Sequence, residues 1–97
     1  MHARVVTSQL QPGKKEEWIA IIRDSIVPAL RQQQGFKGFV TLADTNSDKS
    51  IAYSMWETEA DLKASETSGF YQEQVAKLRV VLATPPVREI YELTVLA

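Results

Sequence analysis

Residues 51–57, Ile-Ala-Tyr-Ser-Met-Trp-Glu, constrain the fold of this chain more than any other stretch. Neighbouring side chains of a strand point to opposite faces, so Ile51, Tyr53 and Met55 share one face while Ala52, Ser54 and Trp56 share the other. Both sets suit burial. Such a strand belongs inside a sheet covered on two sides, and the other segments have to supply the cover.

With 97 residues, 44% of them hydrophobic, the expectation is one globular domain over residues 1–97. A chain this short buries only about two-thirds of the surface its unfolded form exposes, so a second copy would add burial that one copy lacks. The 11 Lys plus Arg stand against 12 Asp plus Glu for a net charge of −1, and Lys14-Lys15 is the one adjacent basic pair. Phosphate binding needs concentrated positive charge, so nucleic acid is not expected as a partner. No apolar run approaches the roughly 20 residues of a membrane-spanning helix. The start, Met1-His2-Ala3-Arg4, lacks an apolar segment with a cleavage site, and the expected location is cytoplasmic. Without cysteine there is no thiolate ligand or nucleophile, and the lone histidine, His2, excludes a multi-histidine metal centre within one chain. No metal or cofactor is expected.

In chain order, residues 2–10 alternate around Val5, Val6 and Leu10 and read as a strand ended by the turn Gln11-Pro12-Gly13. Trp18, Ile22, Ile26 and Leu30, widened by Ile19 and Val27, form the apolar stripe of a long helix over about residues 14–34. Pro28 should bend or open that helix near Asp24, and Gly35 suits a left-handed cap at its end. Residues 36–43 read as a second strand, with Gly38 marking a bulge or a close backbone approach. The polar turn 44–49 then joins it to the opening strand as a hairpin. Thr58 is a fitting N-cap with Asp61 three residues on, and a short helix follows. A second helical piece over about residues 70–82, with Ser68 as its cap, places Tyr71, Val75, Leu78 and Leu82 on one stripe. Pro85-Pro86 ends all helix, and residues 87–96 alternate as a fourth strand.

Strand, helix, strand, strand, helix, strand is the ferredoxin-like βαββαβ order, an α+β fold with a four-stranded antiparallel sheet. Right-handed crossovers place both helices on one face. The opposite face, with Ile51, Tyr53 and Met55, is left bare, and the same face of a second copy is its simplest cover, giving a homodimer.

Gly35-Phe36-Lys37-Gly38-Phe39 after a proline-containing first helix, the strand end Trp56-Glu57 and the closing Glu89-Ile90-Tyr91-Glu92 together resemble the antibiotic biosynthesis monooxygenase family. The resemblance implies a dimeric α/β barrel with a cavity between sheet and helices in each subunit. In some members it implies cofactor-free oxygenation of quinols, anthrones or similar aromatics.

By that resemblance Trp56 lines the cavity, offering an aromatic wall and one N–H to a substrate oxygen; the same indole also suits a plain core position. Tyr71 faces inward on its helix and could relay a proton, or serve as a core tyrosine. Ser54 adds a hydroxyl on the Trp56 face, or simply makes room for helix packing. Arg23, at the edge of the first helix stripe, could reach an anionic substrate, or pair with surface acids. Trp56 and Tyr71 are thus the expected catalytic pair, with Ser54 and Arg23 as substrate-binding residues.

The departures matter too. Haem-degrading relatives use a histidine on the second helical segment and an asparagine on the first strand, and this chain has neither, which disfavours haem degradation. Many quinol-oxygenase-like relatives carry histidine between residues 62 and 70, where Lys63, Ser65 and Glu66 stand here. Two functions follow: a cofactor-independent monooxygenase of a small aromatic, or a non-catalytic dimeric barrel that binds an apolar ligand or acts as an interaction module.

Overall fold

The computed structural model describes residues 1–97. Strand β1 (His2–Gln9) leads to helix α1 (Lys15–Ile21), a π-helical turn (Ile22–Ile26) and a last helical turn α2 (Val27–Leu30). Strands β2 (Phe36–Ala43) and β3 (Lys49–Trp56) form a hairpin, helices α3 (Glu59–Thr67) and α4 (Phe70–Lys77) follow, and β4 (Val87–Glu92) closes the sheet. All strand pairs are antiparallel in the order β2-β3-β1-β4, so the α+β ferredoxin-like architecture expected from the element order is what forms.

Pro28 shapes the first crossover. It has no N–H to give the Asp24 carbonyl, and its ring crowds that carbonyl. The helix widens just before it, and the Val27 N–H donates to the Ile22 carbonyl five residues back. Regular helix stops at Leu30, short of residue 34, and turns carry the chain to Gly35 at φ +80°. A Cβ at Gly35 would collide with the Asp61 side chain, and the Gly35 carbonyl accepts from the Glu57 N–H at 2.7 Å, so this turn locks α3 against the end of β3. The expected bulge at Gly38 is present as a register shift between Phe36 and Gly38.

Three further boundaries differ from expectation, each for a local reason. The Thr58 hydroxyl caps α3 by accepting from the Asp61 N–H at 3.1 Å, as expected. The residue capping α4, however, is Gly69 at φ +88° and not Ser68, because the sharp break between the two helices needs a left-handed residue. Helix α4 ends at Lys77 rather than near residue 82, since the end of β1 claims the following backbone: Gln11 N–H donates to Val81 O and Ala83 N–H to Gln9 O, both at 2.8 Å. Strand β4 ends at Glu92, opposite His2 at the start of β1, and the Leu93 N–H donates to Met1 O at 2.9 Å.

The register settles the faces of β3. Trp56, Ser54 and Ser50 are buried on the helix side, where Trp56 joins Leu10, Trp18, Ile22, Ile26, Leu30, Leu62 and Val81 in the core. Ile19, expected to widen the helix stripe, is instead 39% exposed. On the open side β1 sets Thr7, Val5 and Ala3 opposite Ile51, Tyr53 and Met55. Tyr91, at 50% exposure, and Val95, at 81%, lie on the same open side around a groove of about 380 Å³. No helix is long and apolar enough to cross a membrane.

Candidate functional site

A small cavity of about 60 Å³ lies between the sheet and the helices. Ile22 and Ile26 reach it from the π-helical turn, so the widening at Pro28 sets part of its wall. Its polar side chains are Arg4 from β1, Ser54 from β3, and Tyr71 and Gln74 from α4. No aspartate, glutamate or histidine lines it. A larger groove of about 390 Å³ runs between α4 and Pro85-Pro86, with Arg79 as its only charged side chain; the small cavity is almost wholly apolar at its surface, although four polar residues border it.

Arg4 is the residue the sequence reading missed. It sits directly opposite Ser54 in the β1–β3 register and is only 4% exposed. Its guanidinium carbon lies 4.4 Å from the Tyr71 ring centre and 5.5 Å from that of Trp56, close enough for cation–π attraction to both. Nη1 donates to Ser65 Oγ at 2.8 Å and, at 3.4 Å, to Glu66 Oε2. Ser65 in turn donates to the Leu62 carbonyl at 2.6 Å, and Arg88 Nε pairs with Glu66 at 2.8 Å. Two of the residues standing where histidine was expected in relatives, Ser65 and Glu66, therefore anchor a buried arginine, whereas Lys63 pairs with Glu59 at the surface. Burial pushes the Arg4 pKa down, and Glu66 and Tyr71 oppose that; an arginine remains charged even so.

Tyr71 is half-buried, and burial raises its phenol pKa, against the opposing pull of Arg4 and Arg88. Its hydroxyl is thus held in the protonated, donating form at neutral pH. Trp56 is fully buried, makes an edge-on contact with Phe36 at 5.7 Å, and donates its indole N–H to Ser54 Oγ at 2.8 Å. It stands behind the cavity rather than in its lining. The N–H that the sequence reading assigned to a substrate oxygen is engaged by Ser54 in this structure. With its oxygen accepting from Trp56, the Ser54 hydroxyl keeps its own hydrogen to donate.

Arg23 lies elsewhere. It is exposed and forks onto its neighbour Asp24 at 2.8 and 3.0 Å, a contact that raises the Arg23 pKa and lowers that of Asp24. It borders a surface groove with Arg31, Phe39 and Thr41, outside the cavity. Of the four residues marked in the sequence, then, Ser54 and Tyr71 meet at the cavity, Trp56 supports it from behind and Arg23 faces solvent. The signal for Arg4 was an arginine sharing strand parity with Val6 and Ser8, but only the register shows that this parity is the helix side.

Comparison with known proteins places this geometry. Residues 1–77 match the family model for antibiotic biosynthesis monooxygenase. Uncharacterised proteins of Mycobacterium tuberculosis are 37% identical over 79 residues, 81% of this chain. The chain spans about a third of those relatives' length, 31% in one and 33% in the other. Among solved structures, a Bordetella bronchiseptica protein superposes with a TM-score of 0.82 at 17% identity over 97% of each chain. A mutant of SnoaB, a cofactor-independent oxygenase from Streptomyces nogalater, gives 0.75 at 13% identity over 95% of this chain and 91% of its own. A Nitrosomonas europaea protein of unknown function gives 0.78 at 20% identity over 99% and 91%. At these identities the structural matches speak for the fold, and the family model speaks for the lineage: the chain belongs to the antibiotic biosynthesis monooxygenase family.

Proposed function

We propose that the chain is a cofactor-independent monooxygenase of a small quinol- or anthrone-like aromatic held between sheet and helices, working as a homodimer through the open sheet face. The family match over residues 1–77 carries this reading. The SnoaB fold, that of an oxygenase without cofactor, and the donors around the cavity support it. Tyr71 and Ser54 donate to the substrate oxygen and favour its ionised form, and Trp56 acts as a positioning residue by fixing Ser54. The electron-rich anion then reduces dioxygen: one oxygen atom enters the substrate, as a carbonyl at the CH₂ carbon of an anthrone or a hydroxyl at a ring C–H of a quinol that is oxidised to the quinone, and the other leaves as water. Arg23, paired with Asp24 at the surface, has no part in this version of the site.

One observation favours the second reading, a non-catalytic barrel that binds a small apolar ligand or acts as an interaction module. At about 60 Å³ the cavity is smaller than the ~150 Å³ that accommodates a benzene ring, so an aromatic enters only as the wall moves outward. Oxygen consumption separates the two readings. With a panel of quinols and anthrones the wild type should take up one O₂ per substrate, and Tyr71→Phe should lower the rate by about 10²-fold. No uptake with any substrate, or rates unchanged in both Tyr71→Phe and Trp56→Phe, would overturn the enzyme reading.

A further inference from the structure

We propose that the groove between the first helix and the edge strand β2 binds an amphipathic anion, an acyl carboxylate whose head meets Arg31 and whose chain lies along Val27 and Ile19. The site is separate from the small cavity and goes beyond the proposed oxygenation.

The sequence of the first crossover sets it out. Ile19, Arg23, Val27 and Arg31 recur every four residues, so apolar side chains and cations alternate along one stripe. The stripe lines a groove of about 350 Å³ whose other wall is β2, the edge of the sheet. Phe39 and Thr41 reach the groove from that strand, and their pairing with Ser54 and Ala52 puts them on the helix side. A homodimer through the opposite face leaves the groove open. Its volume falls within the roughly 300–1,000 Å³ usual for small-molecule sites, whereas the small cavity does not. By helical rise Ile19 and Arg31 stand roughly 18 Å apart, which suits an extended chain better than a compact ring.

Charge fixes the kind of head. Arg23 gives its Nε and Nη2 to Asp24, and Arg31 forms an ion pair with no carboxylate of the chain. Two cations therefore meet one anion, and the surplus lies with Arg31. A guanidinium presents its donors as a planar fork that matches a carboxylate.

Exposed carbon fixes the kind of body. Ile19 is an isoleucine at the surface, and Val27 and Phe39 are only partly buried. The helix dipole favours a cation at a helix C-terminus, which accounts for the place of Arg31. It accounts neither for the exposure of Ile19 nor for an apolar side chain set between two arginines. An acyl carboxylate covers the carbon and meets the charge at once.

Methyl NMR titration with octanoate tests the site and needs no turnover. Ile22 and Phe39 border both the groove and the small cavity, so the informative methyls are Ile19 and Val27 for the groove and Val6 and Leu78 for the cavity. Octanoate should shift Ile19 and Val27 and leave Val6 and Leu78 in place. Acetate, which has the head without the chain, should shift none of them at the same concentration. Decanoate should bind about fourfold more tightly than octanoate, as for two methylenes half removed from water. Octanamide should bind about fivefold more weakly than octanoate, the upper end for an exposed ion pair. Arg31→Met should weaken octanoate by the same factor and leave octanamide unchanged. Asp24→Asn, which releases Arg23, should tighten octanoate. Both positions are exposed, so the fold should not depend on either. No shift at millimolar octanoate, shifts at Val6 and Leu78 without Ile19, equal binding of octanoate and octanamide, or octanoate binding indifferent to Arg31→Met or Asp24→Asn would overturn the inference.

Discussion

Replacing Trp56 by alanine should lower the unfolding free energy by about 3–5 kcal/mol, the range for emptying a fully packed tryptophan site. The indole is completely buried, touches Phe36 edge-on, lies beside the Arg4 guanidinium and donates to Ser54. Its removal opens a void, strips one ring from the cation and releases the Ser54 hydroxyl, so three losses coincide at one position. For a small domain of about 5–15 kcal/mol total stability this is a large fraction. Urea denaturation followed by far-UV circular dichroism measures it, and a loss below about 1 kcal/mol would show that Trp56 is not the keystone of the helix-side core. Trp56→Phe should cost less, because the ring contact with Phe36 survives in part.

Tyr53→Glu should convert a two-chain species into single chains. Tyr53 stands at the centre of the open sheet face, with Val5 opposite on β1 and Val40 opposite on β2. Together with Met55 and Leu96 these side chains line the apolar groove of about 380 Å³, and under the proposed dimer the same face of a second copy covers it. On a two-fold axis each copy would bring its carboxylate to the same interface, so the substitution acts twice. Light scattering at micromolar concentration should give about twice the chain mass for the wild type and the single-chain mass for the variant. A well-folded wild-type monomer would remove the dimer from the proposal.

The sequence disclosed most where a regular period met a two-sided demand for burial. The alternation of residues 51–57 assigned both faces of β3 correctly, and Pro28, Gly35, Gly38 and Thr58 each marked a real event in the backbone. It disclosed least where an outcome depended on pairing between distant segments. Helix α4 looked longer because its stripe continues to Leu82, yet the end of β1 captures Val81 and Ala83. Strand β4 looked longer because its alternation outlasts β1. The site followed the same pattern. Ser54 and Tyr71 were visible from their own elements, whereas Arg4 acquires meaning only from the register that puts it across from Ser54 and under Tyr71. Trp56 was found for its ring, but its N–H is committed to a neighbour two residues away, and Arg23 is exposed and paired with Asp24.

The central claim is that ligand binds on the helix side of the sheet, in the cavity bounded by Arg4, Ser54 and Tyr71. Intermolecular NOEs from bound 4-nitrophenol to methyl-labelled protein test it most directly. The account predicts contacts to Val6, Ile22, Ile26 and Leu78, which line that cavity. Contacts to Val5, Val40 and Leu93, which line the groove on the opposite face, would contradict it.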